Sequence, residues 1–127
     1  MTGAERIAIE RARQVDLEGY DEVHDAEHVD GEIALAAACY AAWAAGKRIF
    51  MKKDFAASIS FDDPWPWGEC DDRRPYSGNV LRAPTEAQKL RLLEKAGALI
   101  AAEIDRILAA REMRKKNSKP GESEEDE

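Results

Sequence analysis

From residue 90 onward the apolar positions recur by threes and fours: Leu90, Leu93, Gly97, Ile100, Ile104 and Ile107. Residues so spaced lie on one side of an α-helix, so about five turns of this stripe predict a long amphipathic helix. Leu92, Ala96 and Leu99 widen it. Inside a helix Gly97 costs about 1 kcal/mol relative to alanine, so its place in the stripe predicts a close crossing with the alanine-rich segment upstream. Thr85 and Gln88, just after Pro84, form a capping-box pattern that starts this helix. Beyond Arg111 it turns basic, and residues 117–127 read as a disordered acidic tail.

Two earlier helices are legible. Thr2 and Glu5 form another capping box, opening a helix that runs to about Glu18 and stops at Gly19. Its expected docking face is Ala4, Ile7, Ala8, Ala12 and Val15, with Glu5, Arg6, Glu10, Arg13 and Glu18 toward solvent. Residues 31–45 form a nearly all-apolar helix, with Asp30 as its expected cap and Gly46 as its stop. Ile33, Ala36, Ala37, Tyr40 and Trp43 mark its core face, and an apolar surface all round points to a central position or a dimer interface. The expected fold is mainly α: residues 1–116 form one three-helix domain with the alanine-rich helix in the middle. An irregular or short β-hairpin insertion separates the second and third helices.

In that insertion, residues 48–51 and 57–61 have β-leaning composition on either side of Lys52, Lys53 and Asp54. Pro64, Trp65, Pro66 and Trp67 then make a stiff non-helical loop with two large aromatics.

With 44% hydrophobic residues in 127, the chain can bury a core without disulfides or a structural metal. The net charge is -7, but five acidic residues crowd the last six positions, leaving the rest near neutral. No strong nucleic-acid signal follows, since phosphate neutralisation needs a basic face. Cys39 and Cys70, with no Cys-x-x-Cys spacing and no secretory signal, predict free thiols in a cytoplasmic setting. Cys39 is expected in the core. The longest uncharged apolar run, residues 33–45, is too short for a bilayer, which needs about 20 residues.

The chemistry-bearing cluster is His24, Asp25, His28 and Glu32, and the chain's two histidines are both in it. An offset of four puts two imidazoles on one helical face, and imidazole with carboxylate suits a divalent metal ion. Glu103, at the edge of the third helix's stripe, is a further candidate ligand if it points toward Glu32. The alternative is that Asp25 caps a short turn, the acids favour a helix N-terminus, and Glu103 pairs with Arg106 or Arg111. A second candidate group is Trp65, Trp67, Arg73, Arg74 and Tyr76, which has the aromatic planes and guanidinium forks of a nucleotide or partner site. The alternative there is a tryptophan lid over an exposed core edge.

Several stretches, among them residues 10–14, Glu18 with Gly19, His24 with Asp25, residues 31–41, 64–67 and 95–106, resemble a group of small bacteriophage and prophage proteins. The likeness covers residues 5–45 and 84–107 and carries no activity. A looser similarity is to the all-α nucleoside triphosphate pyrophosphohydrolases of the MazG type, where Gly31, Glu32, Ile33 and Ala34 fit part of the first carboxylate motif. Val29 and Leu35 stand where that motif would need its second glutamate, and Glu103 with Asp105 departs from the second motif's spacing. The expected function is therefore a phage-type accessory protein that binds a protein or nucleotide partner, with a homodimer as one form. The rivals are a metal-dependent nucleotide hydrolase using His24, Asp25, His28, Glu32 and Glu103, and an acidic mimic of nucleic acid.

Overall fold

The computed structural model describes residues 1–55, 58–68, 71–77 and 80–117. Eight elements follow in order: α1 (Gly3–Glu18), α2 (Glu22–Ala26), α3 (Glu32–Ala44), β1 (Met51–Phe55), β2 (Ser58–Asp62), β3 (Tyr76–Ser77), β4 (Val80–Leu81) and α4 (Glu86–Asn117). The architecture is mainly helical with two short antiparallel strand pairs, β1 with β2 and β3 with β4, between α3 and α4. Cys70 and the acidic tail from residue 118 lie outside the described residues. Asn117, expected in the tail, is the last residue of α4.

Helix boundaries follow local chemistry. Thr2 and Glu5 cap α1 reciprocally, and Gly19 ends it in the left-handed conformation at φ 74°. Asp21 caps α2 by accepting the His24 N–H at 2.9 Å, a one-and-a-half-turn helix absent from the sequence expectation. Asp30 does not cap α3. Its own N–H is accepted by Glu32 Oε1 at 2.8 Å, and Gly31 enters the helix at φ 81° with no side-chain cap. Thr85 and Gln88 make the expected box at the start of α4.

The core lies between α3 and α4. Ile33, Ala36, Ala37, Tyr40 and Trp43 are all buried, as expected, and Cys39 is buried beside them. From α4 the residues buried in this cluster are Leu92, Ala96, Leu99 and Ala102, and Glu94, Ala98 and Glu103 are buried on the helix as well. The long stripe is not the buried face: Leu90, Leu93, Ile100, Ile104 and Ile107 are 44–52% exposed. Two apolar rows run side by side on α4, and the alanine-lined α3 selects the one with alanines in it, because small side chains let backbones approach.

α1 also docks by a face other than the one composition favours. Glu10 and Gln14 are its buried residues, while Ala4, Ala8 and Ala12 are exposed and Ile7 and Val15 are half-buried. A methyl group buries little area, so the contact that Ile7 makes at Gly97 and the cations that α4 offers Glu10 set the orientation. A Cβ at Gly97 would stand 2.5 Å from Ile7 Cδ1 and 2.8 Å from its Cγ1. The close crossing expected at Gly97 exists, but with α1 rather than with the alanine-rich helix.

β1 and β2 pair from Met51 opposite Asp62 to Phe55 opposite Ser58. Lys52, Lys53 and Asp54, expected in the turn, are strand residues. Phe50, Ile59 and Phe61 are exposed, so the hairpin is not folded onto the core. The loop after it is: Trp65 and Trp67 pack on the core cluster together with Tyr20.

Candidate functional site

α2 and the turn that follows it bring the two histidines together. Their Nε2 atoms stand 3.3 Å apart, and the rings lie 4.6 Å between centroids. Behind each imidazole is a carboxylate: His24 Nδ1 is 3.0 Å from Asp25 Oδ1, and His28 Nδ1 is 3.4 Å from Glu32 Oε2. Asp25 is itself buried and receives Arg11 at 2.9 Å, which also donates to the Tyr20 carbonyl. The Asp30 N–H, with His28 alongside, holds the Glu32 carboxyl below its ordinary range.

Aromatic rings frame the pair. Tyr20 stacks on His24 at 4.7 Å, and Trp67 meets His28 edge-on at 5.6 Å. With Asp71 these residues line a recess of about 140 Å³. Two buried polar atoms that find no hydrogen-bonding partner among the described residues, Trp67 Nε1 and Gln14 Oε1, belong to residues lining a cavity of about 10 Å³ that shares Tyr20, Trp67 and Asp71 with that recess.

The geometry constrains the protons. A carboxylate only accepts, so each Nδ1 that donates to its acid leaves a lone pair on Nε2, and the two lone pairs then face one another. A cation between them relieves the repulsion. Zinc–nitrogen bonds of about 2.0–2.1 Å at a tetrahedral angle put two ligand nitrogens about 3.3 Å apart.

Of the five residues expected around a metal, four therefore group, with Asp25 and Glu32 behind the imidazoles rather than beside them. Glu103 does not join them: it is buried and closes on Arg106 of its own helix. Among the described residues no three His, Cys, Asp or Glu side chains gather at one point where they could hold an ion.

Of the residues expected around a nucleotide, Trp65, Trp67 and Arg74 pack against one another, while Arg73 lines a different recess. Arg74 is 4% exposed and fully engaged, with Nη2 2.7 Å from Asp72 and 3.1 Å from Asp63 and its guanidinium 5.5 Å from the Trp65 ring. Trp65 meets Tyr40 and Trp67 edge-on at 5.1 and 5.7 Å. These residues brace the loop. Tyr40 and Trp43 anchor it from α3: the Tyr40 hydroxyl donates to the Asp71 carbonyl at 3.3 Å and accepts the Arg73 N–H at 3.1 Å, and Trp43 Nε1 donates to the Arg82 carbonyl at 2.9 Å. The Tyr76 side chain lies outside the described residues.

Arg73 does line a site, one the sequence reading missed. Together with Arg82, Arg91, Lys95 and Gln88 it surrounds a recess of about 260 Å³ at the start of α4. Burial draws the Lys95 ammonium below its ordinary value, and its attraction to Glu10 only partly offsets this. The offset of four between Arg91 and Lys95 was the available signal, and Arg73 and Arg82 come near only through the folded loop.

Compared with known protein families, with curated proteins and with solved structures, the chain matches none.

Proposed function

We propose that this chain is a binding module, a small accessory protein of the phage type that works by contact with another protein. The observation that carries this reading is apolar surface left facing solvent on separate elements. The hairpin exposes Ile59 and Phe61 on one face, beside Lys52 and Asp54 that stand opposite them in register, and Phe50 is exposed just before β1. A two-stranded hairpin is marginal in water on its own, and an apolar patch of this kind marks an interaction surface. Between α2 and the C-terminal part of α4 a groove of about 630 Å³ is lined by Val29, Leu108 and Met113 with Arg11, Asp105 and Lys116 at its borders.

The test is crosslinking of the full chain in its native host, comparing wild type with an Ile59→Asp, Phe61→Asp variant. A defined partner crosslinked through Lys52 or Lys53 and lost in the variant supports the reading. Turnover of a nucleotide panel with a divalent metal, abolished by Glu32→Ala, would replace it with the hydrolase.

The basic recess favours a second reading, a nucleotide or other phosphate-bearing ligand held by Arg73, Arg82, Arg91 and Lys95 near the N-terminus of α4. Calorimetric titration with nucleoside triphosphates tests it. Heat of binding that disappears in Arg73→Glu and Arg82→Glu supports it, and equal heats in all three proteins exclude it.

A further inference from the structure

Among the described residues the regular stripe on α4 is largely uncovered: Gly97 at its middle is met by Ile7, and the five residues around it stand about half exposed. One side of α4 packs on α3 through Leu92, Ala96, Leu99 and Ala102. A second receives α1 through the Ile7–Gly97 contact and the Arg6–Glu94 ion pair at 2.7 Å. The third side carries Leu90, Leu93, Ile100, Ile104 and Ile107, each about half exposed.

We propose that this third side binds the same side of a second copy of the chain, with the two α4 helices antiparallel. The proposal goes beyond the binding reading, which rests on the hairpin and on the groove between α2 and α4. The spacing is that of a two-helix seam, alternating three and four from Leu90 to Ile107, and Glu86 and Arg111 continue it by one step at either end.

The residues in the seam fix the direction. With the helices antiparallel and Ile100 of the second copy level with Gly97 and the Ile7 side chain that covers it, Leu93 meets Ile104, Leu90 meets Ile107 and Glu86 meets Arg111. Every layer is large against large except the central one, where Ile7 already fills the space above Gly97. Each end closes on opposite charges. A parallel pair in register would set Glu86 on Glu86, Arg111 on Arg111 and Gly97 on Gly97. That puts like charges at both ends. The surface is thus complementary to itself in one orientation, as an isologous interface must be.

The experiment is sedimentation equilibrium of the full chain up to about 100 µM, a range that resolves micromolar association. The expected result is a dimer whose dissociation constant rises at least about a hundredfold on Ile104→Glu, with helical content unchanged by circular dichroism. Glu86→Arg and Arg111→Glu address the direction, and both lie outside the monomer's core. Each alone weakens the dimer by roughly tenfold, and the double exchange restores it.

A chain that stays monomeric over this range overturns the proposal, as does a dimer indifferent to Ile104→Glu or a double exchange that rescues nothing. A monomer that still crosslinks a partner through the hairpin removes this proposal and leaves the binding reading standing. Nucleotide turnover by an intact dimer does the reverse.

Discussion

Glu10 of α1, 1% exposed, accepts Arg91 of α4 at 3.0 Å across eighty-one positions of sequence. Arg13 at 2.7 Å and Lys95 at 3.6 Å complete a cage of three cations around one carboxylate. Replacing it by Gln keeps the shape and removes the charge that holds those cations together. Breaking a buried ionic group costs about 3–5 kcal/mol, and the partly exposed arginines bring the expected loss to about 2–4 kcal/mol. Urea unfolding of Glu10→Gln at neutral pH measures it.

The same carboxylate makes stability depend on acid. Burial alone would raise its pKa, but the hydrogen bonds from Arg13 and Arg91 and the charge of Lys95 outweigh burial and bring it from 4.5 to about 2. A group depressed on folding contributes stability that is complete above its unfolded pKa. That stability is lost as pH falls from about 4.5 to about 2, and the difference corresponds to about 3 kcal/mol. Unfolding free energies of wild type and Glu10→Gln should converge across that window. Parallel curves would mean that Glu10 is not the group responsible.

Gly97→Ala should destabilise the native chain by about 1 kcal/mol, because overpacking against Ile7 exceeds the gain in helix propensity. In an Ile7→Ala background the same substitution should become neutral or stabilising, with a coupling energy of at least about 1 kcal/mol. A double-mutant cycle by thermal or urea unfolding reads this directly, and additivity within error refutes the contact.

Arg74→Leu should cost about 3–5 kcal/mol, since it leaves Asp72 and Asp63 facing one another under Trp65. Arg74→Lys should recover little of the loss, because one ammonium cannot replace a fork that spans two carboxylates. Near-ultraviolet dichroism of the tryptophans follows the loop, and an unchanged spectrum with unchanged stability would contradict the bracing role.

The paired imidazoles should take zinc in preference to magnesium, as nitrogen ligands do. Free zinc at ten times its dissociation constant would stabilise the fold by about 1.4 kcal/mol, and His24→Gln or His28→Gln should abolish the effect. Equal stabilisation of wild type and both variants would place the ion elsewhere.

Helix ends were legible because they depend on neighbours in sequence: Thr2 with Glu5, Gly19, and Thr85 with Gln88 each act within one turn. The α3 core face was legible for the same reason, since one helical period decides it. Which of two apolar rows α4 would bury was not, because that choice depends on the small side chains of a helix far away in the chain. Glu10 read as a solvent-side acid for the same reason, as its cations Arg91 and Lys95 arrive from the other end of the molecule. The His24, His28 and Glu32 grouping followed from spacing by four. The aromatic wall from Trp67 was not legible, because it comes from a loop whose path no local pattern reveals.

The Ile7–Gly97 contact links α1 to α4 through a single side chain sitting on bare backbone. In descendants or relatives of this chain, positions 7 and 97 should drift as a couple, a bulkier residue at one accompanied by a slimmer residue at the other. That mutual constraint gives a way to recognise distant kin in which little else has stayed the same.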